Sequence, residues 1–427
     1  MQDWFLDAKL GIFIHWGIYA VKGIAESWSF YLGQVTYDEY MQQLNGFTAK
    51  NYNPNQWADL FVNSGAKYAV LTSKHHDGVS LFDTKLSELS VVKKTPAGRD
   101  LIALYCAALR KRNLKVGLYF SHLDWSHPDY ATVFSKEHKS QLATLARNRF
   151  RDPKNDIEDY ARWERFLKFH RGQIKEILTT YKPLDLFWFD GDWERDVDQW
   201  KMKELREYIE QLSPGTIINS RMLGYGDYST PEQALPVVSP NGPWEFCMTI
   251  NNSWGYQGKD TEYKSVRQII RMFADCIGLG GNLLLDIGPK EDGTIVPEQE
   301  QRLLELGKWI KKHEPAIYST IAGLPPGLFN GASTLSKDRK TLYLFCFDRP
   351  WESIAVKGML NDVKRATVLG SGTELKYKKL GGAPWAGIPG ILWIEVPEPE
   401  NDQYCTVIKL EFEEPISINI KLDKLKD

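Results

Sequence analysis

The chain of 427 residues is poor in the features that would assign it to several large classes. Its five cysteines, Cys106, Cys247, Cys276, Cys346 and Cys405, are odd in number and far apart. No CxxC or clustered Cys/His spacing occurs, which excludes a zinc module and a disulfide scaffold and leaves five buried free thiols as the expectation. No stretch approaches the ~20 apolar residues needed to cross a bilayer. Charge of one sign is also missing: Lys plus Arg number 53 against 55 Asp plus Glu, a net charge of −2 without a long single-sign block. Steering toward nucleic acid or an anionic membrane is therefore not expected. No GxGxxG or GxxxxGK[ST] follows a strand-like run, which removes support for a nucleotide-binding sheet. The N-terminus, MQDWFLDAK, is not a signal peptide. A mature form would belong in the periplasm or outside the cell, and otherwise the cytoplasm is expected.

Aromatic residues are abundant: 15 Trp, 20 Tyr and 19 Phe, many of them beside His, Asp or Glu. That mixture suits a carbohydrate site, where flat rings stack on C–H faces and polar groups bind hydroxyls. The stretch Leu184 to Trp193, LDLFWFDGDW, shows it most sharply. An apolar run suited to a strand buried on both faces ends abruptly in Asp190, Gly191 and Asp192. A carboxylate there, beside Trp188 and Phe189, would sit where parallel α/β folds place their active sites. The competing explanation is an Asp that merely caps the next helix or forms a turn.

The chain exceeds the size of one core, so a large domain and a smaller one are expected. Strands are predicted at Gly11 to Tyr19, Lys67 to Ser73, Lys115 to Ser121, the stretch ending at Asp190, Gly215 to Arg221, Trp244 to Ile250 and Asn282 to Gly288. Helices between them run from Asn53-Pro54 to Ser64, from the cap Asp100 to Arg112, from Ile157 to Tyr181, up to Leu212, and from Pro297 to His313. A long aromatic loop with Trp28, Phe30 and Tyr31 follows the first strand. This alternation predicts an irregular, (β/α)8-like TIM barrel over residues 1–322, with seven strands visible and no eighth; an open doubly wound sheet would give the same alternation. After Gly323-Leu-Pro-Pro-Gly327 the pattern changes to short alternating runs, which predicts a C-terminal β-sandwich over 323–427. Trp351, Trp385 and Trp393 could make it lectin-like, but a packing partner for the barrel is the better reading.

The strand ends supply His15 and Trp16, His75 and His76, Tyr119, Trp188 and Asp190, and Arg221, with Glu232 and Glu245 further on. Two carboxyl groups flanking a sugar suffice for glycosidic cleavage, one attacking or stabilising the anomeric carbon while the other protonates the leaving oxygen. Asp190, fixed at a strand end, suits the first task and Glu232, in the connection after the fifth strand, the second.

All of these except Glu232 lie in motifs that resemble the retaining α-L-fucosidases of glycoside hydrolase family 29: HWG at 15–17, KHHDG at 74–78, GLYFS at 117–121, LFWFDGDW at 186–193, NSR at 219–221, WEFCMTINNSWGY at 244–256 and GGNLLLDIGPKEDG at 280–293. The resemblance implies double-displacement release of L-fucose from fucosylated oligosaccharides or glycoconjugates, with no cofactor and no metal. It matches Asp190, not Asp192, to the nucleophile, and Glu232 to the acid/base with Glu245 in reserve. His15, His75, His76, Tyr119, Trp188 and Arg221 match fucose-holding positions, and Trp28 the aromatic residue of the first loop. Two departures stand out. Ser27 precedes Trp28 where the family has Glu, which moves Glu26 one residue back, and Asp286 replaces the usual Asn. Arg221 is expected to keep Asp190 ionised, while Glu232 is expected in apolar surroundings that keep it protonated.

An inverting enzyme on the same residues, with carboxyl groups ~6.5 to 9.5 Å rather than ~5 to 5.5 Å apart, is one rival reading, and two more change the function. One is a metal hydrolase built on His15, His75, His76 and Asp77. The other is a carbohydrate-binding protein without turnover. Linkage preference and oligomeric state are not legible in the sequence.

Overall fold

The computed structural model describes residues 2–131, 160–348 and 353–418. Seven parallel strands form one curled sheet: β1 Leu10–Ile14, β2 Tyr68–Lys74, β3 Lys115–Ser121, β4 Leu186–Asp190, β5 Ile217–Ile218, β6 Glu245–Thr249 and β7 Asn282–Ile287, in the order β5-β4-β3-β2-β1-β7-β6. Almost every strand residue is buried, as required of strands with helices outside and a filled interior.

The gap between β5 and β6 is closed by a stretch without regular strand character. Tyr228 bridges Asn219 in parallel, while Ser229 and Glu232 bridge Trp244 and Cys247. The Asp227 amide donates to the Ile218 carbonyl at 2.7 Å, and the Cys247 amide to that of Pro231 at 3.1 Å. Residues 228–232 thus occupy the eighth position of a closed ring. Their sequence, YSTPE, has no apolar alternation and a proline that cannot donate, so no strand signal was available.

Alternation sorts each strand's side chains. Phe13, Tyr68, Val70, Tyr119, Leu186, Trp188, Ile217, Tyr228, Cys247 and Leu284 fill the barrel interior, with Phe5 and Ala8 of the first helix, Asp3–Ala8, in the same cluster. Phe187 and Phe189 belong instead to the outer cluster shared with the helices. Trp188 and Asp190 therefore share a face that Phe189 does not, a correction that follows from the period of two.

Several boundaries move. The first strand stops at Ile14, and Ile18–Ala20 is a turn of 3₁₀ helix. Trp28–Tyr31 is a short helix inside the first loop. Only Ile217–Ile218 of the fifth predicted strand is paired as a strand. The helices Pro54–Asn63, capped by the Asn53 side chain, Leu101–Arg110, capped by Asp100, Met202–Leu212 and Pro297–His313 lie where expected. The helix predicted from Ile157 is Tyr160–Thr180, and its first three predicted residues lie outside the described ones.

The remaining strands are antiparallel: β8 Thr320–Ala322, β9 Ala332–Ser336, β10 Thr341–Cys346, β11 Ser353–Val356, β12 Arg365–Val368, β13 Tyr377–Leu380, β14 Ile391–Glu395 and β15 Thr406–Glu411. They form a five-stranded sheet, β12-β15-β10-β9-β8, and a three-stranded one, β11-β14-β13. Along β10, Tyr343 and Phe345 join the cluster that includes the barrel's helices, while Leu342, Leu344 and Cys346 join the cluster between the two antiparallel sheets. The central strand β10 is thus buried on both faces. Among the described residues no helix is long and apolar enough to cross a membrane.

Candidate active site

At the C-terminal ends of the barrel strands the predicted residues converge on Asp190. Tyr119 reaches it from the middle of β3, donating its hydroxyl to Asp190 Oδ2 at 2.9 Å. His76 Nε2 lies 3.7 Å from the same oxygen. Arg221, three residues beyond β5, places Nη1 3.3 Å from Asp190 Oδ1 and donates from Nη2 to Glu232 Oε2 at 2.7 Å. One guanidinium thus joins the two carboxylates, and it lies 5.5 Å from the ring centre of Trp188.

The Asp190 side chain is 16% exposed. Burial pushes its carboxyl up to about 6; Arg221 and the Tyr119 hydroxyl pull it down and the Glu232 charge raises it further. The expected influence of Arg221 is present in sign, but desolvation outweighs it. Glu232 has different surroundings from those expected. Its side chain is 41% exposed and paired with Arg221, because the closing segment 228–232 ends at the mouth of the barrel. Glu245 lies at the opposite end, as the first residue of β6, fully buried. It accepts hydrogen bonds from Tyr68 at 2.5 Å, Trp188 Nε1 at 2.9 Å and Tyr228 at 3.5 Å, and burial lifts its carboxyl to about 7.

His15, His75 and His76 each have Nδ1 anchored, to Asp286 Oδ1 at 2.7 Å, Ser27 Oγ at 2.6 Å and Ser121 Oγ at 2.6 Å. Burial drives all three imidazoles well below their usual range, which favours the neutral ring. Both adjacent histidines reach the site because β2 changes register between Thr72 and Lys74 and the chain turns after Lys74. His75 stacks on Tyr119 at 5.6 Å, and His15 lies 5.7 Å from the same ring.

Trp28 meets His76 edge-on at 5.6 Å and lies nearly parallel to Trp193 at 6.3 Å. Trp16 turns away: it is buried against Phe47, Tyr52 and Trp57, with Nε1 donating to the Lys290 carbonyl. Glu26 is buried and accepts the Gly255 amide at 2.5 Å. Its departed position is taken by Ser27 as the partner of His75.

Sequence reasoning missed the anchors Ser27 and Ser121, and it missed Trp254, 4.9 Å from His15, and Trp193, 43% exposed beside His76. Both tryptophans stand inside the quoted motifs, which was the available signal. The metal reading fails on geometry. Asp77 is engaged by the Tyr40 hydroxyl at 2.6 Å, and among the described residues no three His, Cys, Asp or Glu groups converge to hold an ion.

The profile of the Alpha-L-fucosidase family matches residues 1–315. The tissue alpha-L-fucosidase of Bos taurus is 30% identical over 409 residues, covering 88% of this chain and 82% of that protein. The chain belongs to the alpha-L-fucosidase family, glycoside hydrolase family 29. Among solved structures, alpha-L-fucosidase isoenzyme 1 from Paenibacillus thiaminolyticus is 34% identical with a TM-score of 0.84, covering 96% of this chain and 98% of that one. A Bacteroides thetaiotaomicron family 29 fucosidase, trapped as a covalent intermediate with 2-fluoro-fucosyl fluoride, is 28% identical with a TM-score of 0.82 and covers 96% of each chain. The chain is thus a glycoside hydrolase, and the fold expected of the family, a (β/α)8-like barrel followed by a β-sandwich, is the one observed.

Proposed function

We propose that this enzyme releases terminal α-linked L-fucose from fucosylated oligosaccharides or glycoconjugates by double displacement, with Asp190 as nucleophile and Glu232 as acid/base. The observation that carries the assignment is the shared guanidinium of Arg221, which holds both carboxylates at one mouth of the barrel. In the first step Asp190 Oδ attacks the anomeric carbon, the glycosidic bond breaks, and Glu232 gives its proton to the leaving oxygen. In the second, Glu232 takes a proton from water, whose oxygen displaces Asp190 and regenerates the carboxylate. Entry of the leaving oxygen beside Glu232 separates that carboxyl from Arg221 and leaves the guanidinium with Asp190.

His15, His75, His76 and Arg221 supply hydrogen bonds for the fucose hydroxyls. Tyr119 orients Asp190, and Trp188 and Trp28 cover apolar faces. Glu245, occupied by three side chains inside the barrel, supports Trp188 and is not the acid. The division into a catalytic barrel over 1–322 and a β module over 323–427 belongs to the same proposal, with Thr320–Ala322 contributing an edge strand to the module's sheet.

The test is proton NMR of the first-formed sugar: a retaining enzyme releases α-L-fucose from an α-fucoside. Asp190→Gly should lower aryl fucoside hydrolysis by at least about 10³-fold, with azide restoring turnover as the β-fucosyl azide. Release of β-L-fucose first, or near wild-type hydrolysis by Asp190→Gly, would sink the assignment.

A further inference from the structure

The anchors of the pocket histidines differ in what they do to the proton on Nε2. Ser121 donates its own hydroxyl hydrogen to the Leu123 carbonyl at 2.9 Å, so His76 Nδ1 must be the donor in the 2.6 Å contact between them. A neutral His76 therefore presents a bare Nε2, an acceptor.

His15 is anchored by a carboxyl group. Asp286, on β7, is 1% exposed; its Oδ1 lies 2.7 Å from His15 Nδ1, and its Oδ2 is buried with no hydrogen-bond partner among the described residues. No Lys or Arg among the described residues pairs with it. The titratable groups facing the pair are Tyr19 and Glu26 from the segment after β1, His75 from the turn after β2, and Tyr119 from β3. None is a cation, and Glu26 is itself a buried carboxyl lifted to about 7 by desolvation. Burial drives Asp286 well above the usual carboxylate range, with Glu26 adding to the effect and only the His15 backbone amide opposing it.

A net negative charge in such a place is disfavoured by desolvation, whereas a net-neutral carboxyl–imidazole pair avoids most of that cost. In the neutral pair one proton lies between Asp286 Oδ1 and His15 Nδ1. Whether it rests on the oxygen, giving acid and neutral imidazole, or on the nitrogen, giving carboxylate and imidazolium, the proton count leaves a hydrogen on Nε2. That atom has no protein partner among the described residues, and the side chain retains 7% exposure toward the pocket.

We propose that Asp286 is a positioning residue that makes His15 Nε2 a hydrogen-bond donor to an oxygen of the bound sugar, opposite in sense to the acceptor His76. The pair of senses selects a substrate that offers an acceptor oxygen to His15 and a hydroxyl hydrogen to His76. This rests on the reading of His15 as a sugar-binding residue.

The test uses the full chain labelled with ¹⁵N-histidine, with the His15 signals assigned from the spectrum of His15→Gln. Protonated and bare imidazole nitrogens resonate far apart, so the proton position is read directly and without substrate. At pH 6.5 the wild-type enzyme is expected to show a hydrogen on His15 Nε2. As pH rises and the pair loses its proton the donor is lost, so KM for an aryl fucoside should rise about tenfold across that transition. Asp286→Asn, of equal size but without the ionising carboxyl, should lose that rise while keeping its fold by circular dichroism. A neutral His15 with a bare Nε2 in the wild type overturns the proposal even if the variant does not fold. So does a KM profile that is the same in a folded Asp286→Asn. No turnover by the wild type at any pH would overturn the fucosidase reading, while the NMR result would still place the proton.

Discussion

Asp190 shows how function opposes stability at one residue. As the proposed nucleophile its carboxyl would be needed as an anion, yet the fold buries it where the proton is held up to about 6. The unfolded group ionises near the ordinary value of 3.8, so between about pH 4 and pH 6 the folded state binds more protons and stability falls as pH rises through that window. Above it the cost is constant. Asp190→Asn should therefore raise unfolding free energy by up to about 3 kcal/mol at pH 7, with the gain vanishing near pH 4 and activity abolished. Denaturant melts at both pH values check this. An equal or lower stability at pH 7 would mean that Arg221 and Tyr119 repay the burial in full.

Among the elements, the closing segment 228–232 matters most, because it both completes the barrel and delivers Glu232. Its approach to β5 depends on Gly226, where a Cβ would lie 2.2 Å from the Asn219 carbonyl oxygen. That contact is with backbone and cannot be relieved by a rotamer change. Gly226→Ala should destabilise by about 2–4 kcal/mol and reduce kcat by displacing Glu232, while the Asn219 side chain still ties β5 to β4 through the Phe189 amide and carbonyl. Thermal melts and kinetics on the same preparation test it, and wild-type values for both would show that residues 225–227 can shift freely. The equivalent loss at Glu245 would arise differently, by removing three hydrogen bonds beneath Trp188.

Across the whole molecule, the five-stranded sheet acts as a wall for the barrel. The helix Pro297–His313 presents Trp309 to it: Nε1 donates to the Cys405 carbonyl at 3.0 Å, and the ring lies 6.1 Å from Phe345. Lys312 pairs with Asp402 at 2.7 Å at the rim. Exposed Trp385, 89% accessible, takes no part in this packing, and Trp351 lies outside the described residues. Phe345 is fully buried at the junction, so Phe345→Ala should cost about 3–5 kcal/mol. Because its contacts cross between barrel helix and sheet, calorimetry should show one transition moved down as a unit. Two separated transitions in the wild type would mean that the junction contributes little.

Local pattern already specified the seven regular strands, the helices capped by Asn53 and Asp100, the change from helical to alternating periodicity near residue 323, and most of the residues gathered around Asp190. Those signals are short-range: an apolar run, a cap, a motif. The position of Glu232 on the eighth side of the ring, the inward Glu245, the outward Phe189 and the pairing of Asp286 with His15 needed the closed barrel. They are set by register and by contacts between residues as far apart as β1 and β7, and burial there, more than sequence neighbours, decides which groups hold their protons.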